Sequence, residues 1–181
     1  MGKVYLIGAG PGDVELITLK ALKALEISDV VFYDKLVNKG ILNYAKKDAE
    51  LIYVGKENGY HSIEQDEINQ MMMHYAKKGF IVSRLKSGDP FVFGRGAEEA
   101  IFLKENGIDF EIIPGVSSAI AVPAHAYVPL THREISSSFA VITGHKINGG
   151  LNHIKWDKIV GIDTLVFLMG VSSRQEIAKI L

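Results

Sequence analysis

Short apolar runs alternate along this chain with longer stretches whose apolar residues recur at helical spacing. Residues 4–7, 30–33, 51–54, 80–85 and 110–113 each read as a strand, the first of them buried. Leu16, Leu19, Leu22 and Leu25 recur every three residues with Ala21 and Ala24 beside them, which predicts an amphipathic helix after the first strand. Ser62 and Gln65 match a capping box, and Ile68, Met71, Met72 and Tyr75 share one face of the helix that follows. That helix closes on Lys77, Lys78 and Gly79, a fitting C-terminus and left-handed cap. A third helix is predicted over 97–106.

Strands alternating with helices imply an α/β fold whose first sheet is mostly parallel and covered on both faces. Pro114-Gly115 interrupts the alternation, so the domain boundary is predicted there: an N-terminal α/β domain over 1–113 and a second over 114–181. A short helix is expected from Ser117, with Pro123 kinking or ending it, before further strands at 139–142 and 165–168. The second series has too few strands to close a domain, and the chain stops inside a helical pattern. The expectation is therefore an incomplete second domain.

Composition narrows the chemistry. The 181 residues are 48% apolar and 23% charged with a net charge of -1, which fits a soluble globular protein and disfavours a nucleic-acid partner. No apolar run is long enough for a bilayer and no secretory signal opens the chain, so a cytoplasmic location is expected. The absence of cysteine removes disulfides, thiolate nucleophiles and cysteine-bound metal or iron–sulfur sites. Met71 to Met73 resemble a soft-metal ligand set but have no soft neighbour in sequence, so core packing with one exposed methionine is expected. His132 and His145 lack a third ligand, and no metal is assigned.

Two loops carry the candidate chemistry. Residues 87–96 join a strand to a helix with Gly88, Gly94, Gly96 and Pro90, and bring Asp89 and Arg95 to the strand's end. In an open α/β sheet ligands bind there. Residues 8–13, Gly-Ala-Gly-Pro-Gly-Asp, invite a dinucleotide reading, with Asp34 in the place of a ribose-binding acid. Asp13 stands where the third glycine belongs, and Pro11 removes an amide that should meet the pyrophosphate. A neutral or cationic ligand suits that turn better.

The motifs together resemble those of the tetrapyrrole methylases, and within them the uroporphyrinogen-III C-methyltransferases. The resemblance rests on residues 8–13, 33–37, Gly55-Lys56 with Gly59-Tyr60-His61, 88–90 with 93–96, 114–119, 129–133, 143–145 and Met169-Gly170, in that order. It implies two α/β domains, S-adenosylmethionine as methyl donor held in a cleft between them, S-adenosylhomocysteine as by-product, and a homodimer. It implies methylation of uroporphyrinogen III through precorrin-1 to precorrin-2, upstream of sirohaem and cobalamin. A methylase of a later corrin precursor and a non-catalytic cofactor-binding fragment are the alternatives. By position, Pro11, Ser87, Gly88, Asp89, Val92, Ser117, Ser118 and Met169 line the cofactor site. Asp34 is the candidate base and Lys56 the candidate proton donor. Arg95, Arg133, His61 and His132 are candidate partners for the substrate's carboxylates. Ser87 stands where such proteins often have glycine, and Ser117 where threonine is common.

Overall fold

The structure, a computed structural model, describes residues 2–55, 64–145, 150–151 and 153–181. The chain divides into two compact units, Met1–Ser117 and Ser118–Leu181.

The first unit is a five-stranded parallel sheet of β1 (Lys3–Gly8), β2 (Val30–Tyr33), β3 (Glu50–Tyr53), β4 (Ile81–Lys86) and β5 (Asp109–Ile113), in spatial order β3-β2-β4-β1-β5. Three helices cover it: α1 (Leu19–Ile27), α2 (Gln65–Lys77) and α3 (Gly96–Glu105). One core packs α1, through Ala21, Ala24 and Leu25, against Ile7, Val31 and Leu85. The other packs α2 and α3, through Ile68, Met72, Ala100 and Leu103, against Val4, Val30, Phe32 and Val82. The edge strand β3 exposes Glu50 and Leu51, whereas the inner strands β2 and β4 are largely buried on both faces, which accounts for the unbroken apolar run of β2. Removing such a side chain from water is worth about 1.5–3 kcal/mol. The chain leaves β1 towards one edge and β4 towards the other, so the order reverses between these two neighbours. That reversal opens a crevice at their C-terminal ends.

Three sequence expectations change. The leucine ladder is not one helix: Val14–Leu16 is a separate 3-10 turn capped by Asp13. Thr18 then caps α1, accepting the Ala21 amide at 3.2 Å. The cap resets the helical phase, so Leu19 is 76% exposed while the small residues Ala21 and Ala24 face the sheet. The expected capping box falls partly on Ser62, which lies outside the described residues; α2 begins after Glu64, which makes no side-chain cap bond, and the Gln65 amide donates to Asn69 and Glu99. Met72 is buried, and Met71 and Met73 pack half-buried against the same core, so none of the three is exposed.

The second unit holds α4 (Ser118–His125), a two-stranded parallel sheet of β6 (Phe139–Thr143) and β7 (Thr164–Leu168), α5 (Trp156–Ile159) and α6 (Arg174–Ile180). Pro123 sits inside α4 two residues from its end. Leu151, Ile154 and Ile177 form a small core with Phe167 and Trp156, whose rings stack at 6.0 Å. Asp163 ties the start of β7 to the residues before β6 by accepting the Ser137 and Ser138 amides at 2.8 and 3.0 Å.

Candidate functional site

The loops after β1, β4 and β5 meet at the reversal of strand order, main chain against main chain. Gly10 and Gly88 exchange amide bonds, Gly88 donating to Gly10 at 2.7 Å and Gly10 to Gly88 at 3.2 Å. A Cβ on Gly115 would stand 2.3 Å from the Gly88 carbonyl oxygen, and one on Gly8 2.5 Å from the Gly115 nitrogen. No side chain fits this seam. Gly88 itself has φ +68°, and a Cβ there would find its nearest outside atom, the Ser117 Cα, only at 4.0 Å, so it keeps a small open cradle.

Asp89 holds the seam from above. Its Oδ1 accepts the Phe91 amide at 2.8 Å and its Oδ2 the Gly115 amide at 3.0 Å. Beyond it the loop coils tightly on the Pro90 carbonyl, which accepts the Gly96 amide at 2.9 Å. Phe93 and Arg95 take φ +52° and +58°, a conformation that costs a residue with a Cβ about 1–2 kcal/mol. Phe91, Val92 and Phe93 are exposed at the loop's crown. Pro11, Ser87, Gly88 and Asp89 are half-buried along the same crevice. Ser117 is nearly buried at the end of β5's connection, one residue before α4. The structure thus brings Pro11, Ser87, Gly88, Asp89, Val92 and Ser117 together around the ends of β1, β4 and β5.

In the second unit the strand ends also close on glycine. A Cβ on Gly144 would meet the Gly170 Cα at 2.6 Å, and the Gly144 amide donates to Leu168 at 2.7 Å. Ser173, buried, donates its hydroxyl to the Gly144 carbonyl at 2.5 Å. Met169 stands over this join with φ +56° and 54% exposure. Ser118 opens α4. His132 and Arg133 are exposed on a turn where His132 and Ser136 pair backbone to backbone.

Asp34 follows β2 on the α2 and α3 side of the sheet, level with the strand face that carries Val30 and Phe32. Its Oδ1 accepts Arg84 Nη2 at 2.7 Å; its Oδ2 takes no partner among the described residues. Arg84 and Lys86 occupy the same face of β4 as Val82. Both cations reach Glu99 of α3, Arg84 Nε at 3.1 Å and Lys86 Nζ at 2.8 Å, and Gln65 donates to the same Oε1 at 3.0 Å. Glu99 is 0% exposed, and its Oε2 has no donor among the described residues. Burial pushes the Lys86 ammonium below the ordinary lysine value; the charge of Arg84 adds to this, and Glu99 opposes it. The cluster lies at the C-terminal end of β4 on this face.

Sequence patterning alone does not single out Arg84, Lys86 or Glu99. The available signal is the alternation Val82, Arg84, Lys86, which puts two cations on the buried side of a central strand. Arg95 is exposed and paired with Glu98 at 2.6 Å. Lys56 and His61 lie outside the described residues. Among the described residues no three metal-ligating side chains gather. No helix among them is long and apolar enough to cross a membrane.

Comparison with known proteins places these features in a family. The family profile described as Tetrapyrrole (Corrin/Porphyrin) Methylases matches residues 3–181. The uroporphyrinogen-III C-methyltransferase of Priestia megaterium is 58% identical over 172 residues, covering 94% of this chain and 72% of that protein. The crystal structure of the uroporphyrin-III C-methyl transferase of Thermus thermophilus, complexed with S-adenyl homocysteine, superposes with a TM-score of 0.81 at 43% identity, covering 98% of this chain and 70% of that one. A cobalt precorrin-4 methyltransferase, a cobalamin biosynthetic enzyme, gives a TM-score of 0.84 at 31% identity over 98% of this chain and 73% of its own.

Proposed function

The chain belongs to the tetrapyrrole methylases, and from that premise we propose that it methylates uroporphyrinogen III at carbon, with S-adenosylmethionine as donor, giving precorrin-2 through precorrin-1. The observation that carries the reading is the crevice where Gly10 and Gly88 pair at the reversal of strand order, in a chain 58% identical to a uroporphyrinogen-III C-methyltransferase. The residues there fit the donor. The open cradle at Gly88 admits close backbone approach. Asp89 puts a carboxylate beside it, and Val92 gives apolar surface. Pro11, Ser87, Ser117, Ser118 and Met169 complete the proposed cofactor contacts.

When bound, the sulfonium supplies an electrophilic methyl group. The chain's own residues align and enclose the reactants, an effect that can reach about 7–11 kcal/mol. A carbon–carbon bond forms, the methyl–sulfur bond breaks, and the macrocycle sheds a proton. Asp34 is assigned the acceptor's part; its Oδ1 is held by Arg84, and its Oδ2 has no partner among the described residues. Lys56 is assigned the proton donor's part on its place in sequence. Arg95, Arg133, His132 and His61 are assigned to the substrate's carboxylates, with Arg95 leaving Glu98 to do so. The proposal extends to a cytoplasmic homodimer that binds no nucleic acid. Its support for a second copy is the exposed apolar set Ile120, Val122, Tyr127 and Val128 in and after α4.

Incubation with uroporphyrinogen III and S-adenosylmethionine tests the reading. Gain of two methyl groups, followed by mass spectrometry, and two S-adenosylhomocysteine per tetrapyrrole are expected. Methylation only of a later corrin precursor would transfer the assignment to the chemistry of the cobalt precorrin-4 relative.

A further inference from the structure

Arg84 is 2% exposed, and its planar guanidinium is fixed on three sides. Nε meets Glu99 at 3.1 Å, Nη1 the Leu85 carbonyl at 3.0 Å, and Nη2 Asp34 at 2.7 Å. Because the fork is rigid, the first two bonds fix the direction of the third. Asp34 is the member of the cluster with solvent access: its side chain is 30% exposed, against 0% for Glu99 and 5% for Lys86. One Asp34 oxygen is therefore anchored, and the other has no partner among the described residues.

We propose that Arg84, braced by Glu99, is a positioning residue that holds the Asp34 carboxylate with its Oδ2 presented for proton acceptance. The proposal rests on the reading of Asp34 as the base. Its physical ground is cost. Charged groups withdrawn from water are often no more stabilising than apolar residues of the same volume. On this strand face Val82 shows that apolar residues fit. Two cations and Glu99 at the end of the sheet make sense if one carboxylate must be aimed. A local turn supports the same end: the Val37 amide donates to the Asp34 carbonyl at 3.2 Å, so the backbone under the carboxylate is fixed as well.

A mutant cycle on the full chain tests this. The variants are Arg84→Lys, Asp34→Asn and their double, and each is measured for kcat on uroporphyrinogen III, S-adenosylhomocysteine affinity and melting temperature. Asp34→Asn should lower kcat about a hundredfold or more. Arg84→Lys keeps the buried charge but not the fork. It should lower kcat about tenfold, with cofactor affinity within about twofold of the parent. The double variant should be no slower than Asp34→Asn, because both changes act on the same step. Full kcat in a folded Arg84→Lys protein overturns the proposal, as does a multiplicative loss in the double. A fall in cofactor affinity alongside kcat also overturns it, since that marks a structural role. If Arg84→Lys does not fold, Arg84→Gln/Glu99→Gln replaces the charge pair with amides, and the same comparison is made there. Full activity in Asp34→Asn would instead remove the base assignment itself, and a parent protein inert towards uroporphyrinogen III would remove the proposed function.

Discussion

Asp89 and Gly115 are joined across two loops, the Asp89 Oδ2 accepting the Gly115 amide at 3.0 Å. One carboxylate thereby fastens the turn after β4 to the exit of β5, while its other oxygen shapes its own turn through Phe91. The cofactor reading of Asp89 and its structural work share one side chain.

Asp89→Ala should therefore weaken S-adenosylhomocysteine binding, by about 1.5–3 kcal/mol if one charge-assisted bond to the ligand is lost. Asp34→Ala should leave that affinity nearly unchanged, because Asp34 is assigned to the proton. Calorimetric titration distinguishes them; equal affinities for the two variants would refute the division of roles. NAD should give no heat in the same cell, since Pro11 and Asp13 spoil the first loop for a pyrophosphate.

Gly115→Ala should destabilise the first unit, because its Cβ would lie 2.3 Å from the Gly88 carbonyl oxygen. Overpacking of this kind costs about 1–3 kcal/mol or more. Gly161→Ala, with nothing within 4 Å, is the control and should stay near the parent midpoint in urea. Matching midpoints for the two variants would mean the seam has slack.

Glu99→Gln preserves shape but leaves Arg84 and Lys86 facing each other without their buried anion. Breaking a buried pair costs about 3–5 kcal/mol. A large fall in melting temperature is expected, with partial recovery in Glu99→Gln/Lys86→Met. No recovery in that double would show that Lys86 carries no charge in the folded protein.

Glu111 lies between Lys3 and Lys20, whose hydrogen bonds hold its carboxyl well below the ordinary 4.5, at about 2. A depressed carboxyl stabilises the fold above its unfolded value and loses that contribution as pH falls through the folded one. Stability should thus decline between about pH 4.5 and 2, and Glu111→Gln should flatten that decline. The effect is small because the site is a third exposed and screened by solvent. Urea unfolding at both ends of the window measures it; identical slopes for parent and variant would sink the assignment.

The inner strands were legible because a parallel strand covered on both faces reads as a near-continuous apolar run. Periodicity misled at α1, where Thr18 starts a new helix and resets the phase, so Leu16 and Leu19 never join Leu25 on the buried side. Gln65 looked like a cap because its spacing suited one, yet the helix begins only after Glu64, and the Gln65 amide donates to the buried Glu99 carboxylate. The charged cluster was hidden for another reason. Glu99 lies 13 residues beyond Lys86 and on a helix, and only the fold closes that distance to 2.8 Å. The glycines were seen but half understood: the sequence suggested room for a ligand, while Gly8 and Gly115 make room for each other.

That seam limits how such a protein can diversify. At Gly8 and Gly115 the neighbouring main chain occupies the space a first side-chain atom needs, so no single replacement there is a small step. Phe91, Val92 and Phe93, at the crown of the same loop, point into open surroundings. New ligand preferences can accumulate at the crown one residue at a time, while the root beneath it stays as it is.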